Sequence, residues 1–240
     1  ALGKKDVYGT ATGLNCGGCL VFTWFPSIWA AGGQVMNSEG TQATFTSEQS
    51  TKVFDTWRGL LEYHQPASLG RTWQEAAQSL AQKKSGMYLL GMFVAQQFPE
   101  EERDDLDFFT FPEINPEHGT DSIDAPIDGY MVSAKAKNVE GAKALVKHFA
   151  QASSQNIATE LDPGTLAASS KADTSGYSAL QKRGAELVSQ AKHIAQFLDR
   201  DTRPDFASTV MIPSLQSFID KPNEIDSLLT SIEQQKANIF

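Results

Sequence analysis

The sequence predicts an α/β chain whose last third is helical. Short apolar runs bounded by glycine or proline recur up to Ala134, as buried or half-buried strands require. Between them lie stretches with apolar residues at helical spacing. Beyond Pro163-Gly164 only the helical spacing remains.

Residues 7–14 are β-compatible and punctuated by glycine, which predicts an opening strand. Residues 20–31 are rich in aromatics and stop at Gly32-Gly33, as a helix C-terminus would. Residues 34–45 read as a hairpin around Asn37-Ser38-Glu39-Gly40. Thr46 with Gln49 resembles a capping box that opens a helix to His64. Along it Val53, Phe54, Trp57, Leu60 and Leu61 recur at helical spacing, which places Trp57 in a core. A second helix is expected over 73–84, then a strand over 86–91 whose continuous apolar run suits a sheet covered on both faces. Residues 92–98 read as a short helix ended by Pro99, and 106–111 and 129–134 as further strands. Asn138 caps a helix on which Ala142, Leu145, Val146 and Phe149 share one face. Three helices close the chain. One runs over 180–198, one over 206–219 with a kink near Pro213, and one follows a cap at Asn223.

Composition bounds the function. The chain has 240 residues and a net charge of −9, with no basic cluster to offset it, so a nucleic-acid partner is excluded. No apolar stretch approaches the length of a membrane span. Residues 1–5 hold neither an initiating Met nor the apolar core of a signal peptide, and a processed or excised piece is expected. The two cysteines, Cys16 and Cys19, flank Gly17-Gly18. A local disulfide, a redox pair or two buried thiols would each fit. The disulfide is preferred because no thioredoxin-like continuation follows. No HExxH, Walker A, GxGxxG or GxSxG motif occurs, so no catalytic residue, metal or cofactor is assigned. Asp124 and Asp128 flank Ala125-Pro126-Ile127 before a strand and are the carboxylates placed to face a cleft. Phe22, Trp24, Phe25 and Trp29 crowd into eight residues and cannot all face one way on a helix. Aromatic planes beside loop carboxylates are what a sugar needs: rings stack on its C–H faces, and carboxylates take its hydroxyl protons.

Three segments, in order, resemble the solute-binding proteins of ABC importers, the sugar and maltodextrin type. The first is Phe22-Thr23-Trp24-Phe25-Pro26-Ser27-Ile28-Trp29-Ala30-Ala31-Gly32-Gly33. The second runs over 73–91, with Lys84-Ser85-Gly86-Met87 and Leu89-Leu90-Gly91. The third is Ala125-Pro126-Ile127-Asp128-Gly129-Tyr130-Met131, followed by Lys137-Asn138-Val139-Glu140-Gly141-Ala142. The family's Trp after the glycine is replaced by Met92-Phe93, and the cysteine pair is no part of its pattern.

The resemblance implies a periplasmic-binding-protein-like C-terminal lobe, three-layered α/β, plus the helical C-terminal third. Residues 1–122 would begin the C-lobe, 123–160 would cross the hinge to an N-lobe return strand and helix, and 161–240 would complete the C-lobe. Most of the N-lobe has no counterpart in this sequence, so the return strand is expected to lack neighbours. The implied ligand contacts are Phe22, Trp24, Gly91, Met92, Phe93, Asp128, Gly129, Tyr130 and Asp205, with Phe93 and Tyr130 stacking and Asp128 and Asp205 accepting hydroxyl protons. A cap in a helix first turn is an equal expectation for Asp205. The implied function is capture of a sugar or oligosaccharide and delivery to a membrane permease, with no chemistry. The implied place is extracellular, as a lipoprotein, or periplasmic. A thiol-disulfide oxidoreductase using Cys16 and Cys19, and a carbohydrate-active enzyme, are the alternatives.

Overall fold

A computed structural model describes residues 7–15, 48–117, 119–120 and 122–240. The expected helix over 20–31, the hairpin over 34–45, the capping pair's Thr46, and Cys16, Cys19, Phe22 and Trp24 lie outside these residues. The chain divides into two compact units: unit 1 is Ala1–Leu90, Phe109–Asp124 and Ala191–Phe240, and unit 2 is Gly91–Phe108 and Ala125–Gln190. The three expected segments break at 122/123 and 160/161. The units are cut at 124/125 and 190/191, and unit 2 also takes 91–108.

Unit 1 opens with β1 (Tyr8–Ala11), which pairs in parallel with β2 (Ser85–Tyr88), Tyr8 opposite Ser85 and Ala11 opposite Tyr88. Between them run α1 (Glu48–Leu60) and α2 (Trp73–Ala81). Helix α1 buries Val53, Phe54 and Trp57, as their spacing requires. Thr72 and Glu75 form a full capping box on α2: each side chain accepts from the other's backbone N–H, so two orphan donors are satisfied together. The helix stops short of the expected Lys84. Lys83 turns left-handed at φ 60°, and the N–H groups of Lys83 and Lys84 close back on Leu80 and Ser79, a Schellman ending with lysine where glycine is usual. Strand β2 is shorter than expected and not covered on both faces, for Gly86 and Met87 are exposed.

A second parallel pair joins β3 (Ser122–Asp124) to β4 (His193–Ala195). Single turns α6 (Leu198–Asp201) and α7 (Pro204–Phe206) follow β4 in unit 1. A π-helical turn over Ala207–Met211 then leads into α8 (Ile212–Asp220), and α9 (Ile225–Lys236) comes last. Pro213 lies in the first turn of α8, where a missing N–H costs little. The chain answers the expected kink with a widened turn. Asn223 is not the cap of α9; Glu224 holds that position without a side-chain hydrogen bond. The core of unit 1 gathers Leu14, Phe54, Leu198, Phe206, Phe218 and Ile232. Phe54 meets Phe218 edge-on, ring centroids 4.9 Å apart, and Trp57 tilts against the same ring at 5.4 Å.

Unit 2 begins with a 3₁₀ turn over Met92–Gln97, the expected short helix. It contains α3 (Val139–Phe149), α4 (Ala152–Leu161) and α5 (Ala179–Gln190). Asn138 caps α3 as expected, its side-chain oxygen accepting from Gly141 N–H at 2.9 Å.

Three further expectations fail. The helix expected over 180–198 ends at Gln190, because 193–195 are drawn into the ladder with β3. The C-terminal third is therefore not wholly helical. Residues 106–111 form no strand: the Asp107 carboxylate accepts from Phe108 N–H and binds Arg183, which commits that backbone locally. Residues 129–134 form none either, since no described strand lies beside them.

Candidate functional site

The expected site residues that lie among the described residues fall in both units. Gly91, Met92, Phe93, Asp128, Gly129 and Tyr130 belong to unit 2, and Asp205 to unit 1.

Met92 and Phe93 sit in a cradle of glycines. A Cβ on Gly164 would lie 2.5 Å from Phe93 Cα, and one on Gly184 2.3 Å from Met92 Sδ. One on Gly91 would meet the Phe93 ring at 2.7 Å. At Gly164 the approach is by backbone and admits no side chain, so this glycine fixes where Phe93 stands, whereas Gly91 and Gly184 face side-chain atoms. The loop that brings Gly164 there is itself tied down. The Asp162 carboxylate accepts from Gly164 N–H and from Gln96 Nε2, both at 2.9 Å. Buried Gln181, on α5, donates from Nε2 to the carbonyls of Thr159 at 2.9 Å and Thr165 at 3.1 Å. Its Oε1 accepts from Ser178 N–H, and Tyr177 Oη accepts from Ala167 N–H. Asp162, Gly164 and Gln181 are positioning residues that the sequence reading missed. Only the Pro163-Gly164 turn signalled them.

Tyr130 is 71% exposed and rests on Phe149, ring centroids 4.8 Å apart and tilted by 42°. A ring backed by a ring and open on its other side is a stacking platform. Asp128 and Gly129, which precede it, are also exposed. Asp205 is engaged by Arg203 through both oxygens, Nε to Oδ1 at 3.0 Å and Nη2 to Oδ2 at 2.5 Å. Its Oδ1 also accepts from Phe206 N–H at 3.1 Å. The bonds from Arg203 hold this carboxyl below the usual carboxylate range. It stands in the first turn of α7.

Asp124 is shifted in the opposite direction from Asp205. Its Oδ1 is buried with no hydrogen-bond partner, and burial, with Asp201 nearby as a lesser cause, pushes its pKa up to about 8. Among the described residues no group of three or more His, Cys, Asp or Glu is arranged to hold a metal ion. None of the described helices is long and apolar enough to cross a membrane.

Residues 10–156 match the model of the family described as bacterial extracellular solute-binding protein. The chain belongs to that family. Among solved structures similar to this solute-binding protein is the bacterial solute receptor AcbH, described as having an exclusive preference for β-D-galactopyranose. It is 34% identical, with a TM-score of 0.92 over 98% of this chain and 61% of that one. A chitin oligosaccharide binding protein, 17% identical, superposes with a TM-score of 0.79 over 98% of this chain and 60% of the other. A protein from a study of xylan utilization by Caldanaerobius polysaccharolyticus, 19% identical, gives 0.77 over 96% and 62%. The last two likenesses speak to fold alone. That fold is the periplasmic-binding-protein-like α/β fold. The chain spans about three-fifths of the length of these structures. Comparison with curated proteins gave no match. The family is described as extracellular and solute-binding, AcbH as a solute receptor and the chitin oligosaccharide protein as a binding protein.

Proposed function

We propose that this chain captures a sugar or oligosaccharide in a cleft between lobes and delivers it unaltered to the membrane permease of an ABC importer. The observation that carries this reading is the Tyr130 platform on Phe149, with Asp128 and Gly129 just before it, in the unit where Gly164 fixes Phe93. Tyr130 and Phe93 stack on the pyranose C–H faces and Asp128 accepts hydroxyl protons. Gly91, Met92 and Gly129 shape the backbone around them, and Phe22, Trp24 and Asp205 complete the set. The 123–160 segment crosses the hinge about which the lobes close on the solute. A Cys16–Cys19 disulfide braces the loop before Trp24. The likeness to a galactopyranose receptor supports a monosaccharide as the first ligand to try. Lipid anchoring or a periplasmic location is part of the same reading.

Thermal shift with β-D-galactopyranose, chito-oligosaccharides and xylo-oligosaccharides tests it. One of these raises the melting temperature, and the sugar is recovered unchanged. Tyr130→Ala weakens binding by about tenfold, the worth of one stacked ring. Turnover of any of these sugars that Asp128→Asn abolishes would replace binding by catalysis. Insulin reduction lost on Cys16→Ser would replace it by thiol exchange.

A further inference from the structure

Arg203 caps α7 and spends every nitrogen of its side chain on a partner. Nε and Nη2 go to the Asp205 carboxylate, and Nη1 donates to the Ile239 carbonyl. The guanidinium also stands over the Phe240 ring, Cζ 5.9 Å from its centroid. That ring meets the fully buried Phe206 edge-on at 5.4 Å. Residues 239 and 240 are held in turn, since both N–H groups close on the Lys236 carbonyl at the end of α9, at 2.8 and 3.0 Å. An exposed ion pair is ordinarily worth little, because two mobile side chains must be frozen to make it. Here a planar fork is pinned along its edges and on its face, so the pair is pre-organised.

The consequence falls on Asp205. Its Oδ1 accepts from Arg203 Nε and from Phe206 N–H, and its Oδ2 from Arg203 Nη2. A carboxylate offers about four lone-pair sites, so Oδ2 is the oxygen with room for a further donor. The side chain is 51% exposed and open to one. We propose that Arg203 and Phe240 are positioning residues for sugar capture: the ring and the Ile239 carbonyl fix the guanidinium, and the guanidinium presents Asp205 Oδ2 to one hydroxyl of the solute. This deepens the capture reading and rests on Asp205 being a ligand contact. The bonds from Arg203 also favour the ionised carboxyl, the form that accepts at both oxygens.

The test has an arm without sugar and an arm with it. In the first, the Asp205 carboxyl carbon is followed by NMR through an acid titration. Its midpoint lies below the usual carboxylate range in the wild type. Arg203→Gln and Phe240→Ala raise it toward that range, and Phe240→Tyr, which keeps the ring, does not. In the second, β-D-galactopyranose, chito-oligosaccharides and xylo-oligosaccharides are titrated at neutral pH. Asp205→Asn, Arg203→Gln and Phe240→Ala each weaken binding of the sugar that the wild type takes by about tenfold, the worth of one hydrogen bond to a charged group. Phe240→Ala adds nothing to Asp205→Asn, as expected of residues that act through one another. An Asp205 midpoint indifferent to Phe240→Ala overturns the proposal whatever the sugars do. Losses from Phe240→Ala and Asp205→Asn that add in full also overturn it and make Phe240 a support of the fold alone. A sugar affinity untouched by Asp205→Asn overturns it by removing Asp205 from the contacts, and leaves capture at Tyr130 and Phe93 standing. A wild type that binds none of the sugars overturns the capture reading itself, and this proposal with it.

Discussion

Asp124 and His64 titrate in opposite directions, and together they bound the pH range in which unit 1 is most stable. Burial raises Asp124 from 3.8 to about 8, so the native chain keeps a proton that the unfolded chain releases over that interval. The stability this lends is complete at the acid end and is lost as pH rises toward 8. Burial lowers His64 from 6.5 to about 4, which reverses the sign: its contribution holds above 6.5 and is lost as pH falls toward 4. Urea midpoints measured from pH 4 to 9 should therefore change little between pH 4 and 6.5, where the two slopes oppose, and decline from 6.5 toward 8 in the wild type; Asp124→Asn should abolish that decline and leave midpoints rising with pH below 6.5. His64→Gln should extend the decline down to about pH 4. Neither effect was legible in the sequence. Asp124 stood out as a loop carboxylate facing a cleft, whereas it lies in β3, and burial of a single side chain depends on neighbours far along the chain. Phe54 and Trp57 were legible because a 3.6-residue period carries its own partner information.

At the scale of elements, the glycine cradle makes a contrast that a single methyl group reads. At Gly164 an added Cβ meets the backbone of Phe93, which cannot yield, whereas at Gly184 it meets the flexible end of Met92. Gly164→Ala should cost about 1–3 kcal/mol as overpacking and displace Phe93, with sugar affinity falling alongside stability. Gly184→Ala should cost less, because the thioether swings aside. Thermal melts and binding isotherms of the two variants check both statements. Helices were read better than strands because their signals are local, and the Asn138 cap on Gly141 is the clearest case, although the Asn223 cap did not form and the helix expected to 198 ends at Gln190. Strands were read poorly. Residues 106–111 and 129–134 are β-compatible, but alternation says nothing about whether a partner strand is present. Residues 193–195 became β4 against their helical pattern because β3 supplied one. In the candidate site Tyr130 and Phe93 were visible as aromatics after glycine-rich turns. Asp162 and Gln181 were not, since each acts on groups that only the folded loop assembles.

Across the whole molecule, the core of unit 1 is built from distant parts of the chain: Leu14, Phe54 from α1, Phe218 from α8 and Ile232 from α9. Phe218 touches both Phe54 and Trp57, so its loss opens the place where α1 and α8 meet. Phe218→Ala should lower stability by about 3–5 kcal/mol, seen as a fall in urea midpoint at constant m value. That is a large share of the roughly 5–15 kcal/mol a domain holds in total. The shared core also sets a timetable during synthesis. A ribosome adding roughly 5–20 residues per second takes on the order of ten to forty seconds to travel from Phe54 to Ile232. Throughout that interval the greasy side of α1 has no C-terminal helices to rest on, so the nascent chain stays adhesive until its final turns emerge. Holding chaperones should meet it there, well before any ligand does.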